Sequence, residues 1–294
     1  MNGQDGRQEP PLRIEEAGAY ALLHQEFLFH FPFVQSYRCL ENLPGKLLKS
    51  RTQRRVFLLF SPISDQEQFV LKFYFFPLFR RWGTLFQSCS IATKEYKNLK
   101  LCQDLGIPVV PPMGYGWRCQ GKFFLSCFLI TSVLREYQTL RQWLVEEAGR
   151  GAEASELCRI FSFLGRSFRR VHTHSIFFRT VTLSDILIHS SSSLSPSICF
   201  LDIPLARQCF CPSKQIRQQA RDIGNILAGF FPYLDQRVVS SFYESYFPDP
   251  CGHNEKKIRS LAFKMAQKKA NRTFFSQMRR RLHRLWMGFT SPKV

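Results

Sequence analysis

The chain has 294 residues, of which 45% are hydrophobic and 21% are charged. This balance excludes an intrinsically disordered chain, and the length is sufficient for one or two domains with a substantial core. The formal net charge of +19 indicates a polyanionic partner. The candidates are nucleic acid, an anionic membrane surface and a phosphorylated substrate, and charge alone does not choose among them.

Cysteine usage and targeting signals favour the cytosol. The ten cysteines are scattered and include no Cys-x-x-Cys pair, which favours reduced thiols over a disulfide framework. Residues 1–16 are polar and lack the basic start and apolar centre of a signal peptide. The longest mostly apolar run, Phe123 to Leu134, is about half of the ~20 residues that a spanning helix needs. We therefore expect a chain that is neither exported nor threaded through a bilayer.

The first half of the chain predicts a sheet with one helix. Residues 55–60 and 68–74 are rich in β-branched and aromatic residues and flank a Pro/Ser/Asp turn, which predicts an antiparallel hairpin. Residues 91–105 carry apolar residues at helical spacing, and Gly106 favours a helix end after them. The apolar run 123–134 predicts a buried strand.

The second half of the chain predicts mostly helices. Helical patterns cover residues 140–147, 156–172, 215–230 and 236–246, and a short strand at 198–202 interrupts them. This order of elements predicts an α+β fold with a sheet-rich lobe, a helical lobe and a cleft between them. The predicted regions are an N-terminal extension at 1–40, a sheet-rich lobe at 41–134 and a helical lobe with a basic amphipathic tail at 135–294.

Three charged residues have the chemistry that phosphoryl transfer from a nucleotide requires. That reaction uses a lysine on the phosphates, a carboxylate on a helix to hold the lysine, and a carboxylate for the bridging metal. Lys72 lies within an apolar strand, where an unpaired ammonium is costly to bury. Glu95 lies near the start of the predicted helix, and Asp202 ends the apolar strand 198–201. The alternatives are a solvated lysine on an edge strand and an aspartate in a turn.

Four motifs follow one another along the chain and carry a family resemblance. They are Lys94-Glu-Tyr-Lys-Asn-Leu with Asp104-Leu-Gly-Ile-Pro-Val-Val-Pro-Pro, Arg169-Arg-Val-His172 with Phe178-Arg-Thr180, Leu201-Asp-Ile203, and Arg221-Asp-Ile-Gly-Asn-Ile-Leu227. The first is similar to a Glu-aromatic-Arg-Asn-Leu helix that leads into Leu-Gly-Ile-Pro-x-Pro, and the second to an Arg-Leu-His stretch with a His-Arg-Asp catalytic loop. The last two are similar to a metal-binding Ile-Asp-Leu and a late Lys-Asp-Leu helix. Together, over about residues 45 to 230, they resemble the lipopolysaccharide core kinases, the Kdo/heptose kinase or WaaP-like group.

The resemblance implies a protein-kinase-like two-lobed fold and the use of ATP and Mg²⁺. Carried over position by position, Lys72 would bind phosphate, Glu95 would orient Lys72, and Asp202 would hold magnesium. Asp222 would brace the catalytic loop, and His172 would be a packing residue. The implied acceptor is an inner-core sugar of lipopolysaccharide or another anionic glycolipid.

The chain departs from this family in the catalytic loop. The catalytic aspartate of the family corresponds to Thr180, and the histidine two places earlier corresponds to Phe178. Threonine does not accept a proton at neutral pH, and the loss of a general base typically costs ~10²–10⁴ in rate. Asp185 is a candidate second metal ligand together with Asp202, and a candidate base through water. An active phosphotransferase and a pseudokinase, a non-enzymatic binding or regulatory module, therefore both stay open.

A basic segment lies where kinases have a phosphate-covering loop. Residues 46–55 contain five basic residues and no Gly-x-Gly pattern. Ser50, Thr52 and the cations would then contact phosphate by charge, since the backbone lacks the glycines that allow close approach. The alternative is a solvated basic hairpin.

Two further basic segments favour a membrane surface as the partner. Residues 73–86 mix aromatic residues with Arg80 and Arg81, and residues 255–294 contain 12 Lys/Arg and one acid. An apolar stripe between residues 275 and 289, with arginines beside it, is typical of a helix on an anionic membrane surface; its alternative is packing on the helical lobe. No nucleic-acid-binding module pattern is present, which disfavours nucleic acid. We therefore expect a peripheral protein on the cytoplasmic face of the inner membrane.

Overall fold

The fold consists of a sheet-rich unit followed by a helical unit. The computed structural model describes residues 11–16, 19–64, 66–76, 90–150, 154–189, 197–230, 235–248 and 254–271, with the side chains of 147–150 not described. The chain divides into two compact units, Met1–Arg135 and Glu136–Val294. The predicted α+β class, with strands first and helices after them, is confirmed.

A seven-stranded antiparallel sheet dominates the first unit. Its strands are β1 Leu12–Glu16, β2 Ala19–Leu23, β3 Lys46–Arg51, β4 Arg54–Phe60, β5 Gln68–Phe75, β6 Pro112–Gln120 and β7 Phe123–Ser132. Across the sheet they lie in the order β1-β2-β6-β7-β5-β4-β3. The β4–β5 hairpin and the β7 strand agree with the sequence prediction, whereas β1 and β2 were not predicted. β1 is an edge strand that buries only Ile14, so its sequence carries little apolar pattern.

Three helices accompany this sheet: α1 Gln25–His30, α2 Tyr37–Glu41 and α3 Ile91–Asp104. In α1 the buried ring of Phe27 stacks on Phe31 and meets Phe69 of β5 edge to face, with centroid distances of 4.8 and 5.3 Å. The N-cap of α3 is Ser90, whose hydroxyl accepts the Thr93 N–H at 3.1 Å. α3 ends where the sequence predicts, because Gly106 adopts φ 64° and returns its N–H to the last turn.

The second unit is built mainly from helices. They are α4 Leu140–Arg150, α5 Ala154–Thr173, α6 Pro212–Phe230, α7 Gln236–Tyr246 and the helical residues 254–271. A three-stranded sheet contains β8 Tyr137–Thr139, β10 Ile186–His189 and β11 Ser197–Phe200. Across this sheet the strands lie in the order β11-β10-β8. A second small sheet pairs β9 Ile176–Phe177 with β12 Arg207–Gln208. Among the described helices, none is both long enough and apolar enough to span a bilayer.

Close packing of α5 on α7 sets the position of the residues that follow α5. The buried face of α5 repeats at helical spacing through Phe161, Leu164 and Phe168. Gly165 allows the close approach, because a Cβ there would lie 2.3 Å from the carbonyl oxygen of Phe242 on α7. The end of α5 is therefore held against α7, and this packing fixes the position at which the following loop begins.

Candidate nucleotide-binding and catalytic residues

Lys72 is a buried cation in the centre of the first unit's sheet. β5 pairs with β4 on one side and β7 on the other, and Lys72 lies opposite Val56 and Leu129 in these ladders. The alternative of a solvated lysine on an edge strand is therefore wrong. Lys72 is 5% exposed, and its ammonium lies 2.8 Å from the Oε1 atom of Glu95 on α3. The structure thus brings together the lysine and the helix carboxylate that the sequence singled out.

Glu95 is fully buried, and both the Lys72 ammonium and the Tyr74 hydroxyl donate to its carboxylate. Its Oε1 atom accepts from Lys72, and its Oε2 atom accepts from the Tyr74 hydroxyl at 2.9 Å. Tyr74 follows Lys72 by two residues, so the two side chains share one face of β5. Tyr74 was not predicted from the sequence, although the period of two along a strand contains the signal. These contacts fix the carboxylate in one orientation toward the lysine.

The loop that carries Thr180 is held by Asp222 of α6. The N–H groups of Phe178 and Arg179 donate to Asp222 Oδ2 and Oδ1 at 2.7 and 2.6 Å. Arg179 has φ 69°, a left-handed conformation that a non-glycine residue adopts only when its surroundings impose it. Asp222 therefore braces the backbone of this loop, as the family resemblance implies. Thr180 itself is exposed, and its N–H donates to the Phe178 carbonyl at 2.9 Å.

His172, at the end of α5, completes the buried surroundings of Asp222. Its Nε2 atom lies 3.4 Å from Asp222 Oδ2, and its Nδ1 atom lies 2.6 Å from the Tyr246 hydroxyl. The His172 side chain is almost fully buried, and its ring stacks on Phe177 at a centroid distance of 5.2 Å. These contacts are those of a residue that positions Asp222 and packs the core.

Positive charge surrounds the same loop. Burial lowers the pKa of Arg179, and the charges of Arg207 and Arg221 lower this pKa further, while Asp222 opposes them. Arg207 lies on β12 directly opposite Phe177 of β9. Arg179, Arg207 and Arg221 therefore lie within electrostatic range of one another at this loop, with Asp222 as their counter-charge.

Asp185 and Asp202 lie at the same end of two paired strands. β10 and β11 pair antiparallel with Ile186 opposite Phe200, and the ladder continues with the Leu201 N–H donating to the Asp185 carbonyl at 2.9 Å. Asp185 is also a local cap, because its Oδ2 atom accepts from the N–H and the hydroxyl of Thr182 at 2.9 and 2.7 Å. This capping role of Asp185 was not predicted from the sequence.

The donor set at this strand end fits magnesium better than a transition metal. Mg²⁺ prefers hard oxygen ligands and is commonly held by one or two carboxylates together with substrate phosphates. Asp202 and Asp185 supply carboxylates of this kind. Within the described ranges, no group of three or more His, Cys, Asp or Glu side chains is arranged to hold a metal ion.

The basic segment 46–55 forms the β3–β4 hairpin, with Thr52 and Gln53 as its turn. Every residue of β3 is exposed, and the Arg55 guanidinium lies 5.2 Å from the centre of the Phe75 ring. Phosphate contact by Ser50, Thr52 and the cations stays a prediction. The arginines at 80 and 81 and the predicted amphipathic stripe at 275–289 lie outside the described residues.

The two units, with a buried Lys–Glu pair on the sheet and a braced loop among the helices, define a protein-kinase-like fold. The chain matches no protein-family model and no curated protein. Among solved structures it is similar to WaaP in complex with acyl carrier protein, with a TM-score of 0.65 and 16% sequence identity. The similarity covers 85% of this chain and 98% of that chain. At this identity the likeness shows the fold alone, so the predicted kinase-like fold is confirmed and the likeness to WaaP is one of fold.

Proposed function

We propose that the chain binds ATP with Mg²⁺ and transfers the γ-phosphoryl group to a hydroxyl of a lipopolysaccharide inner-core sugar or a related anionic glycolipid. The observation that carries this proposal is the 2.8 Å pair between the buried Lys72 ammonium and Glu95. A buried ion pair is seldom more stabilising than apolar residues of similar size. A pair with this geometry therefore favours a functional use for the lysine charge. The motif resemblance supplies the acceptor class.

The proposed roles follow the chemistry of each side chain. In the first unit Lys72 would bind a phosphate, with Glu95 and Tyr74 setting its position. In the second unit Asp202 would hold the metal. Mg²⁺, when bound, neutralises phosphate charge as the transition state develops. Asp222 would keep the loop at Phe178 to Thr180 in one conformation.

The transfer is a displacement at phosphorus. The acceptor hydroxyl oxygen forms a bond to the γ-phosphorus, the bond from this phosphorus to the β–γ bridging oxygen breaks, and ADP leaves with the electron pair. The hydroxyl proton passes to water, because Thr180 has no carboxylate to accept it. Phosphoryl transfer has a loose transition state that depends mostly on positioning and electrostatics, so a missing base slows the reaction without preventing it.

A second candidate function is that of a pseudokinase that binds nucleotide or glycolipid without transfer. Thr180 is the specific observation that favours it. The loop backbone is braced by Asp222 as in an active site, yet the side chain at the base position is a hydroxyl. The two candidates share nucleotide binding and differ in transfer.

Transfer from labelled ATP to a dephosphorylated core lipid distinguishes these candidates. We expect slow transfer by the purified full chain and none by Lys72→Met. Exposed Lys268→Met, which changes the charge equally, is the control and should behave as the unmodified chain. If the unmodified chain transferred no more phosphate than Lys72→Met does, the proposed kinase activity would be refuted and the pseudokinase function would remain.

Restoring a carboxylate in the loop is expected to accelerate transfer. Thr180→Asp places a base at an exposed position whose backbone is already held, so we expect a rate increase of ~10²–10⁴ over the unmodified chain. Thr180→Asn, which has the same shape without a base, is the matched control and should not accelerate transfer. An equal rate for the aspartate and asparagine variants would show that a missing base does not limit the reaction.

A membrane surface is the proposed location of the acceptor. The net charge of +19 supports attraction to anionic lipid, and each Lys or Arg near such a surface is worth ~1 kcal/mol. We expect the chain to sediment with anionic vesicles at low salt and to be released at high salt. Vesicles of neutral lipid are the control, and absence of binding to anionic vesicles at either salt concentration would refute this location.

A further inference from the structure

An exposed segment beside the candidate catalytic loop carries two apolar side chains and a cation. Residues 205–210 contain β12, and Arg207 of this strand lies opposite Phe177 of β9. Phe177 directly precedes the candidate catalytic loop. Leu205 is 45% exposed and Phe210 is 72% exposed. The chain therefore presents an exposed arginine, with an exposed apolar residue on either side of it in sequence, next to this loop.

Hydrogen bonds hold the backbone of this segment, although its side chains are exposed. The Cys209 N–H donates to the Ser175 carbonyl at 2.9 Å, which extends the pairing of β12 with β9. The Gln215 amide of α6 donates to the Cys209 carbonyl at 2.8 Å and to the Ser175 hydroxyl at 3.1 Å. Phe210 follows Cys209 directly, so its exposed ring extends from a backbone that these contacts fix.

The chemistry of the segment suits an anion that is anchored in a lipid surface. Within the part of the chain that the structure describes, Arg207 forms no ion pair, so its guanidinium is free to bind a ligand. A guanidinium donates paired hydrogen bonds to a carboxylate or a phosphate. Single exposed apolar residues are common, but two in one short segment beside a cation favour an amphiphilic partner.

We propose that residues 205–210 form the docking surface for the acceptor. Arg207 pairs with an anionic group of the glycolipid, and Leu205 and Phe210 contact the lipid surface that carries it. Because β12 lies directly against β9, a glycolipid held here lies beside the loop that contains Thr180. This inference rests on the proposed function and names residues of this chain that hold its acceptor.

Binding of the full chain to vesicles in the absence of ATP tests this surface. The probes are phosphatidylcholine vesicles that carry either the anionic core glycolipid or phosphatidylglycerol at the same charge density. Arg207→Gln is expected to weaken binding to the glycolipid vesicles about tenfold, because a charge-assisted pair of hydrogen bonds is lost. Phe210→Ser should weaken binding to both kinds of vesicle about tenfold, because an apolar ring no longer leaves water.

Two matched controls change exposed residues elsewhere in the helical unit. Arg237→Gln removes an exposed arginine of α7, and Phe263→Ser removes a phenylalanine that is 54% exposed. Both should bind the glycolipid vesicles as the unmodified chain does. In the transfer assay, Arg207→Gln should raise the KM for the glycolipid and leave kcat and the KM for ATP unchanged, since the docking surface lies outside the nucleotide site.

Unchanged glycolipid binding by Arg207→Gln or by Phe210→Ser would overturn this inference. Equal losses for Arg207→Gln on the two kinds of vesicle would also overturn it, because Arg207 would then contact the membrane and not the acceptor. Control variants that lose as much binding as the docking variants would show a nonspecific effect and have the same meaning.

Failure of the docking surface and failure of the proposed function give different results. If the unmodified chain binds the glycolipid vesicles but transfers no phosphate, the proposed function fails and the docking surface stands. If the chain binds these vesicles no better than phosphatidylcholine alone, the docking surface is refuted.

Discussion

Lys72→Met is expected to lower the free energy of unfolding by about 3–5 kcal/mol, because it leaves the Glu95 carboxylate buried without its ammonium partner. Glu95 is 0% exposed, and the Tyr74 hydroxyl still donates to its Oε2 atom at 2.9 Å. A hydrogen bond from a neutral hydroxyl does not replace the positive charge that is lost. Urea denaturation of the intact chain, followed by fluorescence, measures the change.

The double variant Lys72→Met with Glu95→Gln separates folding from binding. The glutamine keeps an acceptor for Tyr74 and removes the buried charge, so we expect stability to return to within about 1 kcal/mol of the unmodified chain. Nucleotide binding should stay lost, because the phosphate-binding ammonium is still absent. If the double variant were no more stable than Lys72→Met, the buried charge would not be the cause of the destabilisation.

The second large effect is expected for Asp222→Ala. This change removes the acceptor of two loop N–H groups, at Phe178 and Arg179, and the neighbour of buried His172. Hydrogen bonds to a charged group contribute about 1.5–3 kcal/mol each, so the loss should lower the free energy of unfolding by roughly 3–5 kcal/mol. The amide protons of Phe178 and Arg179 should also exchange faster with solvent, which mass spectrometry of the loop peptide detects.

Two variants control for this result. Asp222→Asn keeps one acceptor oxygen and is expected to lose about half as much stability as Asp222→Ala. Asp235→Ala removes an exposed aspartate that caps α7 through the Arg237 N–H at 2.9 Å, and should cost only about 1 kcal/mol. If Asp222→Ala and Asp235→Ala were equally mild, the loop would not depend on its brace.

Glu95 and Asp222 are buried carboxylates that are stabilised by different means. Glu95 has a cation and a hydroxyl as partners, both from β5. Asp222 has two backbone N–H groups of the loop, with His172 nearby. The contacts of Glu95 position the Lys72 ammonium, a charge that can bind a ligand, whereas the contacts of Asp222 fix the backbone of the loop. Substitution of Asp222 should therefore change stability and phosphoryl transfer together. For Lys72, the double variant should separate its contribution to nucleotide binding from its contribution to stability.

Much of the fold and part of the candidate site follow from local patterns in the sequence. The β4–β5 hairpin and α3 were predicted because alternating and helical apolar spacing identifies strands and helices directly. β1 escaped prediction because an edge strand with one buried residue has almost no such pattern. Tyr74 was overlooked although its spacing from Lys72 contained the information. Asn225 lies within the motif at 221–227 but was not singled out. Lys269, which donates to Asn225, carries no local signal of its own, since polar residues on helices are usually solvated.

The sequence by itself determined the order of the elements, the placement of Lys72 in an apolar run, and the presence of Thr180 at the position where the family resemblance implies a carboxylate. Only the tertiary structure decided that β5 is a central strand, that Glu95 reaches Lys72, and that Lys269 reaches the loop through Asn225. Apolar periodicity indicates which face of a helix or strand is buried, but it does not indicate which other helix or strand covers that face. Contacts between residues far apart in the chain depend on packing between elements, and packing is a property of the folded molecule.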